Sequence, residues 1–246
     1  MKFQNDVTSI PARRLVALLA PLHADDPKAT AALNLLRGWD ARELPESAQA
    51  ALMEVWISRH LERAFLDAVL PPNAAHAISS PDMGVMLDML EKPGAVPNRD
   101  ALLLHTIAAA YEEMEKLEGA DPKAWQWGKL HHSLPEHPLM QAVDGEMLHR
   151  LQPGPFPTPG GPYTPNASSY RASDFQLTGG PSFRMVLDVG NWDNGGITIP
   201  QGESGRPASG HYTDEAADWV AGRLLPLPYS DAAVDRAAVN RLTLAP

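Results

Sequence analysis

Residues 202–214 hold the side-chain types of a hydrolase triad in one short run, with Ser204, Ser209, His211 and Asp214. A nucleophilic serine needs a histidine that takes its proton and a carboxylate that orients the histidine, and these groups normally come from separate chain segments. The serine also normally lies on a turn with the spacing Gly-x-Ser-x-Gly, whereas Ser204 lies in Gly-x-Ser-Gly. We therefore interpret the run as a polar loop whose side chains satisfy backbone donors. Hydrolysis by Ser204, Ser209 and His211 is the competing hypothesis.

A second group of chemically capable residues is the segment 125–132, Trp-Gln-Trp-Gly-Lys-Leu-His-His, followed by Glu136 and His137. Imidazole and carboxylate groups suit zinc, so His131, His137 and Glu136 are candidate ligands. However, they match no helical ligand spacing, and prolines intervene. We favour a structural role in which the two tryptophans anchor a turn in the core and the histidines bond to backbone carbonyls.

Carboxylates provide a third candidate for chemistry. Glu112, Glu113 and Glu115 are close together on a predicted helix, and we expect them to form a solvated face. Asp188 follows Arg184 by four residues in an apolar run, so on a strand both side chains share one face. We predict a partly buried structural ion pair there rather than a catalytic group.

The elements that must position these residues begin with helices. From Pro11 to about Gly119, apolar residues recur at spacings of three and four, which is typical of amphipathic helices. Asp26 and Ser47 are predicted N-caps, and Gly38 is predicted to end the second helix. The predicted helices start near Pro11, Pro27, Ser47, Pro81 and Arg99, and the third runs to Val69.

After about His131 the chain changes character. Residues 152–165 contain six prolines and three glycines and cannot be helical. Because Phe156 and Tyr163 interrupt the stretch and it has no repeat, we expect an ordered loop that wraps the surface. The elements predicted beyond it are a hairpin of strands Ser182–Val189 and Gly196–Gln201, helices Thr213–Arg223 and Ser230–Arg241 capped by their first residues, and a strand at Leu242–Leu244.

Composition narrows the possible functions. The 246 residues are 44% hydrophobic, which is enough for a folded core. The formal charge of −10 and the lack of a basic patch argue against nucleic-acid or membrane-surface binding. No apolar run reaches the length of a membrane span, and residues 1–10 lack an apolar run of signal-peptide length. The chain has no Cys, which excludes disulfides and zinc–thiolate sites. We predict no cofactor.

Six motifs, spread over nearly the whole chain and in a fixed order, carry a resemblance to a known family. They are Gln4–Ser9, Leu36–Asp40, Trp125–His131, Gly180–Val186, Asn191–Asn194 and Gly202–Asp214. In this order the chain resembles the C-terminal part of the β chain of penicillin acylase family proteins, which are N-terminal-nucleophile hydrolases. One departure is Gly210, where relatives usually carry Pro before the His-Tyr pair.

The resemblance implies an α+β fold that forms the C-terminal portion of an αββα sandwich. The residue patterns predict a mainly helical segment over residues 1–150 and a Pro/Gly-rich loop followed by strands and short helices over residues 151–246. The resemblance implies that both belong to one larger acylase domain. The family residues expected to be structural are Trp125, Trp127, Gly128, His131, Arg184, Asp188, Gly202, Ser204, Gly205, Ser209, His211 and Tyr212.

In that family a residue at the start of the processed β chain attacks an acyl amide, with its own amino group as base. This chain starts Met1-Lys2-Phe3 and matches a region after the family's oxyanion-hole asparagine, so no catalytic residue is carried over. We expect a fragment that is inactive alone, whose partners are the α chain and the N-terminal part of the β chain. The resemblance implies a periplasmic or secreted parent enzyme and leaves open whether β-lactam side chains or acyl-homoserine lactones are cleaved. The alternative is a free-standing, noncatalytic binding module.

Overall fold

A computed structural model describes residues 3–244. Met1, Lys2, Ala245 and Pro246 lie outside the described residues. The chain forms two compact units, each built from two segments. Residues 3–134 and 157–180 form the helical unit, and residues 135–156 and 181–244 form the sheet unit. The prediction that residues 1–150 and 151–246 belong to one larger acylase domain stays a prediction.

The elements follow one another along the chain as a helical series and then a mixed series. The first consists of α1 (Ile10–Leu19), α2 (Pro27–Leu36), α3 (Ala48–Val55), a π-helical turn (Trp56–Leu61), α4 (Glu62–Val69), α5 (Pro72–Ala77), α6 (Met83–Glu91), α7 (Arg99–Glu118), a 3-10 turn (Pro122–Ala124), α8 (Trp127–Leu130) and β1 (His132–Ser133). The second consists of a 3-10 turn (Met140–Ala142), α9 (Gly145–Leu151), β2 (Phe156–Pro157), β3 (Ser169–Tyr170), β4 (Leu177–Gly179), β5 (Arg184–Val186), a 3-10 turn (Trp192–Asn194), β6 (Gly195–Thr198), α10 (Ala216–Ala221), β7 (Leu225–Leu227) and α11 (Asp231–Ala237). The predicted helical first half and β-containing second half are confirmed.

Local side-chain chemistry starts the helices where the sequence predicts. The Asp26 carboxylate accepts the backbone N–H groups of Lys28 and Ala29, and the Ser47 hydroxyl accepts that of Ala50. These bonds satisfy donors that have no partner inside the helix. α2 ends at Leu36, and Gly38 follows with φ of 74°, a conformation in which a glycine costs little.

The third predicted helix contains a π-helical turn at Trp56–Leu61 between α3 and α4. Within the turn, the Ser58 hydroxyl donates to the carbonyl of Glu54, in the preceding helix α3, at 2.7 Å. The extra residue in the turn rotates the following side chains about the helix axis, which a regular 3.6-residue pattern does not show.

The core of the helical unit centres on α7, which packs against α2, α3 and the π-helical turn. Leu52, Trp56, Leu103 and Ile107 are fully buried in it. The Trp56 indole N–H donates to the Thr106 hydroxyl at 2.9 Å, so the largest side chain at this contact leaves no polar atom unpaired. Each such buried apolar side chain stabilises the fold by about 1.5–3 kcal/mol. Among the described residues, no helix is long and apolar enough to cross a membrane.

The sheet unit contains a three-stranded antiparallel sheet in the order β5-β6-β7. β5 and β6 form the predicted hairpin, with Arg184 opposite Thr198. β7 was missed because Pro226 weakens a strand pattern, but a proline is tolerated on an edge strand. The Asp193 carboxylate in the turn accepts the N–H groups of Tyr229 and Ser230, which fixes the start of α11.

Several sequence predictions in the sheet unit are wrong. β6 ends at Thr198 instead of Gln201, and α11 ends at Ala237 instead of Arg241. β5 spans only Arg184–Val186 instead of Ser182–Val189. α10 starts after Glu215 rather than at a Thr213 cap. Leu242–Leu244 forms no strand, and both leucines are more than 80% exposed. A strand forms only where a neighbouring strand lies at hydrogen-bonding distance. Among the described residues, the sheet contains β5, β6 and β7, and residues 242–244 do not pair with any of them.

Candidate functional site

The Trp-Gln-Trp-Gly motif closes the helical unit as a packed turn. Trp127 is fully buried, and its indole N–H donates to the Gly160 carbonyl at 2.9 Å. A Cβ atom at Gly128 would lie 2.7 Å from the Pro157 Cβ and 2.9 Å from the Pro45 Cβ. Only glycine fits there because the 157–180 segment crosses directly over α8.

His131 is a buried member of the same cluster and is closed to solvent. Its ring stacks on Trp127 with centroids 4.7 Å apart, and Nδ1 lies 3.0 Å from the Phe175 carbonyl oxygen. Burial lowers the pKa of His131 to about 4, so the ring is neutral at pH 7 and donates from Nδ1. Nε2 has no hydrogen-bond partner among the described residues.

The hypothesis of a zinc site at His131, His137 and Glu136 finds no support in this geometry. In residues 3–244 no group of three or more His, Cys, Asp or Glu side chains is arranged to hold a metal ion. The His131 ring nitrogen that faces the Phe175 carbonyl is already used for structure. His137 Nδ1 accepts the backbone N–H of Leu139 at 3.1 Å.

The loop at 202–214 brings its polar groups together without forming a triad. The His211 Nδ1 lies 2.8 Å from the Asp214 carboxylate, which raises the pKa of this exposed imidazole. The Ser204 hydroxyl accepts the N–H of Arg206, and the Ser209 hydroxyl accepts that of His211 itself. Within the described residues neither serine hydroxyl bonds to the His211 ring, so the geometry supports the polar-loop interpretation.

Close backbone contacts hold this loop in place. A Cβ atom at Gly202 would lie 2.4 Å from the His211 carbonyl oxygen and 2.6 Å from Asp214 Oδ1. The Tyr212 hydroxyl donates to the Leu151 carbonyl at 2.7 Å. A Cβ atom at Gly205, in contrast, would meet no atom within 4 Å. Gly202 and Tyr212 therefore shape the loop, and Gly205 does not require a glycine on steric grounds.

Arg184 and Asp188 do not have the strand geometry on which their predicted pairing depended. Asp188 lies beyond β5 and is exposed, and its carboxylate accepts from Asn194 and from the backbone of Gly190 and Asn191. These bonds lower the pKa of Asp188. The Arg184 guanidinium is buried, stacks on the Trp219 ring at 4.9 Å and donates to the Trp219 carbonyl.

The predicted solvated face at Glu112, Glu113 and Glu115 is only partly correct. Glu112 is exposed. Glu113 is partly buried and pairs with the Arg59 guanidinium and with His60 Nε2, the latter at 2.7 Å. Glu115 pairs with Lys28. The helix pattern shows which residues share a face, but not that a cation from another helix lies opposite it.

The residues that sequence analysis missed are two buried glutamates in the helical unit, Glu43 and Glu54. Both are closed to solvent. The Tyr170 hydroxyl donates to Glu54 Oε2 at 2.6 Å, whereas Glu54 Oε1 and both Glu43 oxygens have no hydrogen-bond partner among the described residues. Burial, and then the neighbouring Glu54 charge, raise the pKa of Glu43 well above its ordinary value. The two carboxyls cannot both stay ionised in such a site, so at least one of them holds a proton.

The carboxyl pair lies under the Pro/Gly-rich segment. A Cβ atom at Gly161 would lie 2.4 Å from Glu43 Oε2, so only a glycine backbone allows this approach. The segment is partly buried, at residues 158, 160, 161, 164, 166 and 168. The loop that was predicted to wrap the surface therefore contributes to the core. Burial, followed by the Glu54 charge, raises the pKa of the less buried Glu62 to about 7. An acidic residue amid the apolar run of α3 was the one available signal for Glu54.

Comparison with known proteins identifies the relatives of this chain. It is 29% identical to the acyl-homoserine lactone acylase QuiP of Pseudomonas aeruginosa over 99% of this chain and 32% of that protein. It is 32% identical to the Pseudomonas putida protein of the same name over 89% of this chain and 29% of that one. Penicillin acylase 2 proenzyme of Pseudomonas sp. strain SE83 is 36% identical over 49% of this chain and 16% of that one.

A solved structure of a thermostable penicillin G acylase from Alcaligenes faecalis covers 98% of this chain at 16% identity, with a TM-score of 0.49 and 47% of that chain matched. The chain spans about a third of the length of the curated relatives that it matches throughout. The Penicillin amidase family model matches residues 1–236. This chain therefore belongs to the penicillin amidase family.

Proposed function

We propose that this chain is the C-terminal part of an amide hydrolase, and that the nucleophile and oxyanion hole are supplied by acylase segments outside these 246 residues. The observation that carries the proposal is the family match over residues 1–236 together with coverage of only about a third of the acyl-homoserine lactone acylases. The loop at 202–214 is the best internal candidate for a triad, but its serine hydroxyls accept hydrogen bonds from backbone N–H groups.

Acyl-homoserine lactones are the substrate class that we place first for the complete enzyme. Relatives with that name align with 99% of this chain, whereas the penicillin acylase aligns with 49%. The reaction adds water across the side-chain amide and releases a carboxylic acid and the lactone amine. β-Lactam side chains, which present the same acyl amide, are the second class.

The part that we assign to this chain is structural. Most of the twelve family residues make packing contacts or hydrogen bonds, and the tightest cases are Gly128 beneath Pro157 and Gly202 against the His211 backbone. Contacts of this kind hold neighbouring elements rigid, as a catalytic site supplied by other segments requires. We propose that Trp125, Trp127, His131, Arg184, Asp188 and Tyr212 act in this way, together with the loop residues Gly205, Ser204, Ser209 and His211.

The test is amide hydrolysis by the purified chain, alone and co-expressed with the part of the Pseudomonas aeruginosa relative that precedes the aligned segment. Long-chain acyl-homoserine lactones and a phenylacetyl reporter amide are the substrates. We expect activity only after reconstitution, with the acyl-homoserine lactone cleaved faster. Activity of the chain alone that disappears in the variant His211→Ala would overturn the proposal.

A free-standing binding module is the second candidate, and one observation favours it. The helical unit has a continuous buried core that includes Trp56, Trp125, Trp127 and Phe175, all at most 2% exposed. Such a core can support folding without further segments. A chain that melts cooperatively as a monomer, and whose stability and solubility do not change when the missing acylase segments are supplied, would favour this candidate.

A further inference from the structure

The sheet of the sheet unit has one face that is apolar and open. Met185, Ile197 and Leu225 are direct partners across β5, β6 and β7, so their side chains form one row on the same face. Phe183 and Leu187 lie just outside the two ends of β5, on either side of Met185. A Cβ atom at Gly195, on the same face as Ile197, would lie 3.3 Å from Leu187 Cδ2, which places Leu187 beside this row. Phe183 is 55% exposed, Met185 46% and Leu225 37%.

The opposite face of the same sheet is covered from within the unit. Thr198, the partner of Arg184, is fully buried, and the Arg184 guanidinium lies over the Trp219 ring of α10. A Cβ atom at Gly196 would lie 2.8 Å from the Leu224 Cβ. An antiparallel sheet with one solvated face normally carries polar side chains on that face. Here the first face carries exposed apolar side chains, whereas Arg184 and Thr198 on the opposite face are buried.

We infer that the face formed by Phe183, Met185, Leu187, Ile197 and Leu225, the open sheet face, is the surface on which the missing acylase segments pack. This inference rests on the proposed function. The occupant is an apolar layer of that remainder, because about two-thirds of each matching relative lies outside the segment that aligns with this chain. Contiguous exposed apolar side chains of this kind mark interaction surfaces.

The experiment compares Met185→Gln and Leu225→Gln with the matched control Val85→Gln. Val85 is 55% exposed on α6 of the helical unit, so it tests the loss of an exposed apolar side chain at another place. Each chain is co-expressed with the affinity-tagged N-terminal portion of the Pseudomonas aeruginosa relative, and recovery of the complex is measured with its hydrolytic rate. Far-UV circular dichroism of the isolated chains verifies that the glutamine variants fold.

We expect at least a tenfold drop in recovered complex for Met185→Gln and Leu225→Gln, and no change for Val85→Gln. Equal recovery of all three variants would overturn the inference, while activity of the reconstituted wild type would still uphold the proposed function. Loss of complex in the two sheet variants with a wild-type complex that hydrolyses nothing would uphold the inference and refute the function.

Two further outcomes also count against the inference. If the wild-type chain does not recover the tagged portion, the open sheet face binds a different partner or none. If light scattering shows a dimer of this chain that dissociates in Met185→Gln, the occupant is a second copy.

Discussion

The buried carboxyl pair makes a measurable prediction for the variant Glu43→Gln. A Cβ atom at Gly161 would lie 3.4 Å from the Glu43 carboxyl carbon and 3.6 Å from that of Glu54, so the two carbons are at most about 7 Å apart. Two ionised carboxylates at that distance repel by about 2 kcal/mol at an effective dielectric constant of about 20. The fold therefore keeps one proton on the pair, which the unfolded chain releases.

The sign of the pH dependence follows from the raised pKa of Glu43. Its stabilising contribution is complete below the unfolded-state pKa of about 4.3 and is lost as the pH rises through the folded-state pKa. Within that window the free energy of unfolding of the wild type falls by about 1.4 kcal/mol per pH unit relative to Glu43→Gln, whose amide stays neutral and can donate to Glu54.

Urea unfolding followed by tryptophan fluorescence at several pH values between 5 and 8 measures this difference. The control is Glu112→Gln, which removes an exposed glutamate from α7. We expect the stability of the wild type and of the control to fall in parallel, and that of Glu43→Gln to fall less steeply by a total of about 2 kcal/mol or more. Parallel profiles for all three proteins would show that the pair does not keep a proton in this pH range.

Three other expectations concern single side chains. Gly128→Ala forces a Cβ into a filled site and should cost about 1–3 kcal/mol in urea unfolding, whereas Gly205→Ala should change stability by less than about 0.5 kcal/mol. His131, with a folded-state pKa of about 4, should remain neutral in an NMR titration down to about that pH. Because its pKa is lowered, it should cost up to about 3 kcal/mol of stability as the pH falls from about 6.5 to 4, and an ordinary pKa would refute this. Tyr170→Phe removes the donor to Glu54 and should cost about 1.5–3 kcal/mol in the same assay, and an unchanged midpoint would contradict the bond.

What could be predicted from the sequence is mostly local. The caps Asp26 and Ser47 and the turn at Gly38 depend on residues within four positions of one another, so their chemistry is visible in the printed order. The ordered family motifs indicated the penicillin acylase family, which the family match confirms. The β5–β6 hairpin followed from its turn residues for the same reason.

The failures share a physical cause, which is that a long-range partner has no local sign. The Leu242–Leu244 pattern suits a strand, but a strand exists only where a neighbouring backbone offers hydrogen bonds. Arg184 pairs with the Trp219 ring and carbonyl rather than through a strand face shared with Asp188, because β5 ends at Val186.

The sequence by itself therefore determined the family, the helical first half and the capped helix starts, since these depend on residue types at short spacing. Only the tertiary structure decided that Glu43, Glu54 and Tyr170 meet inside the helical unit and that the open sheet face lacks a cover. Both features depend on contacts between residues far apart in the chain, up to 116 positions for the Tyr170–Glu54 bond. Burial then changes the chemistry, because removing water turns two ordinary glutamates into a pair that must hold a proton.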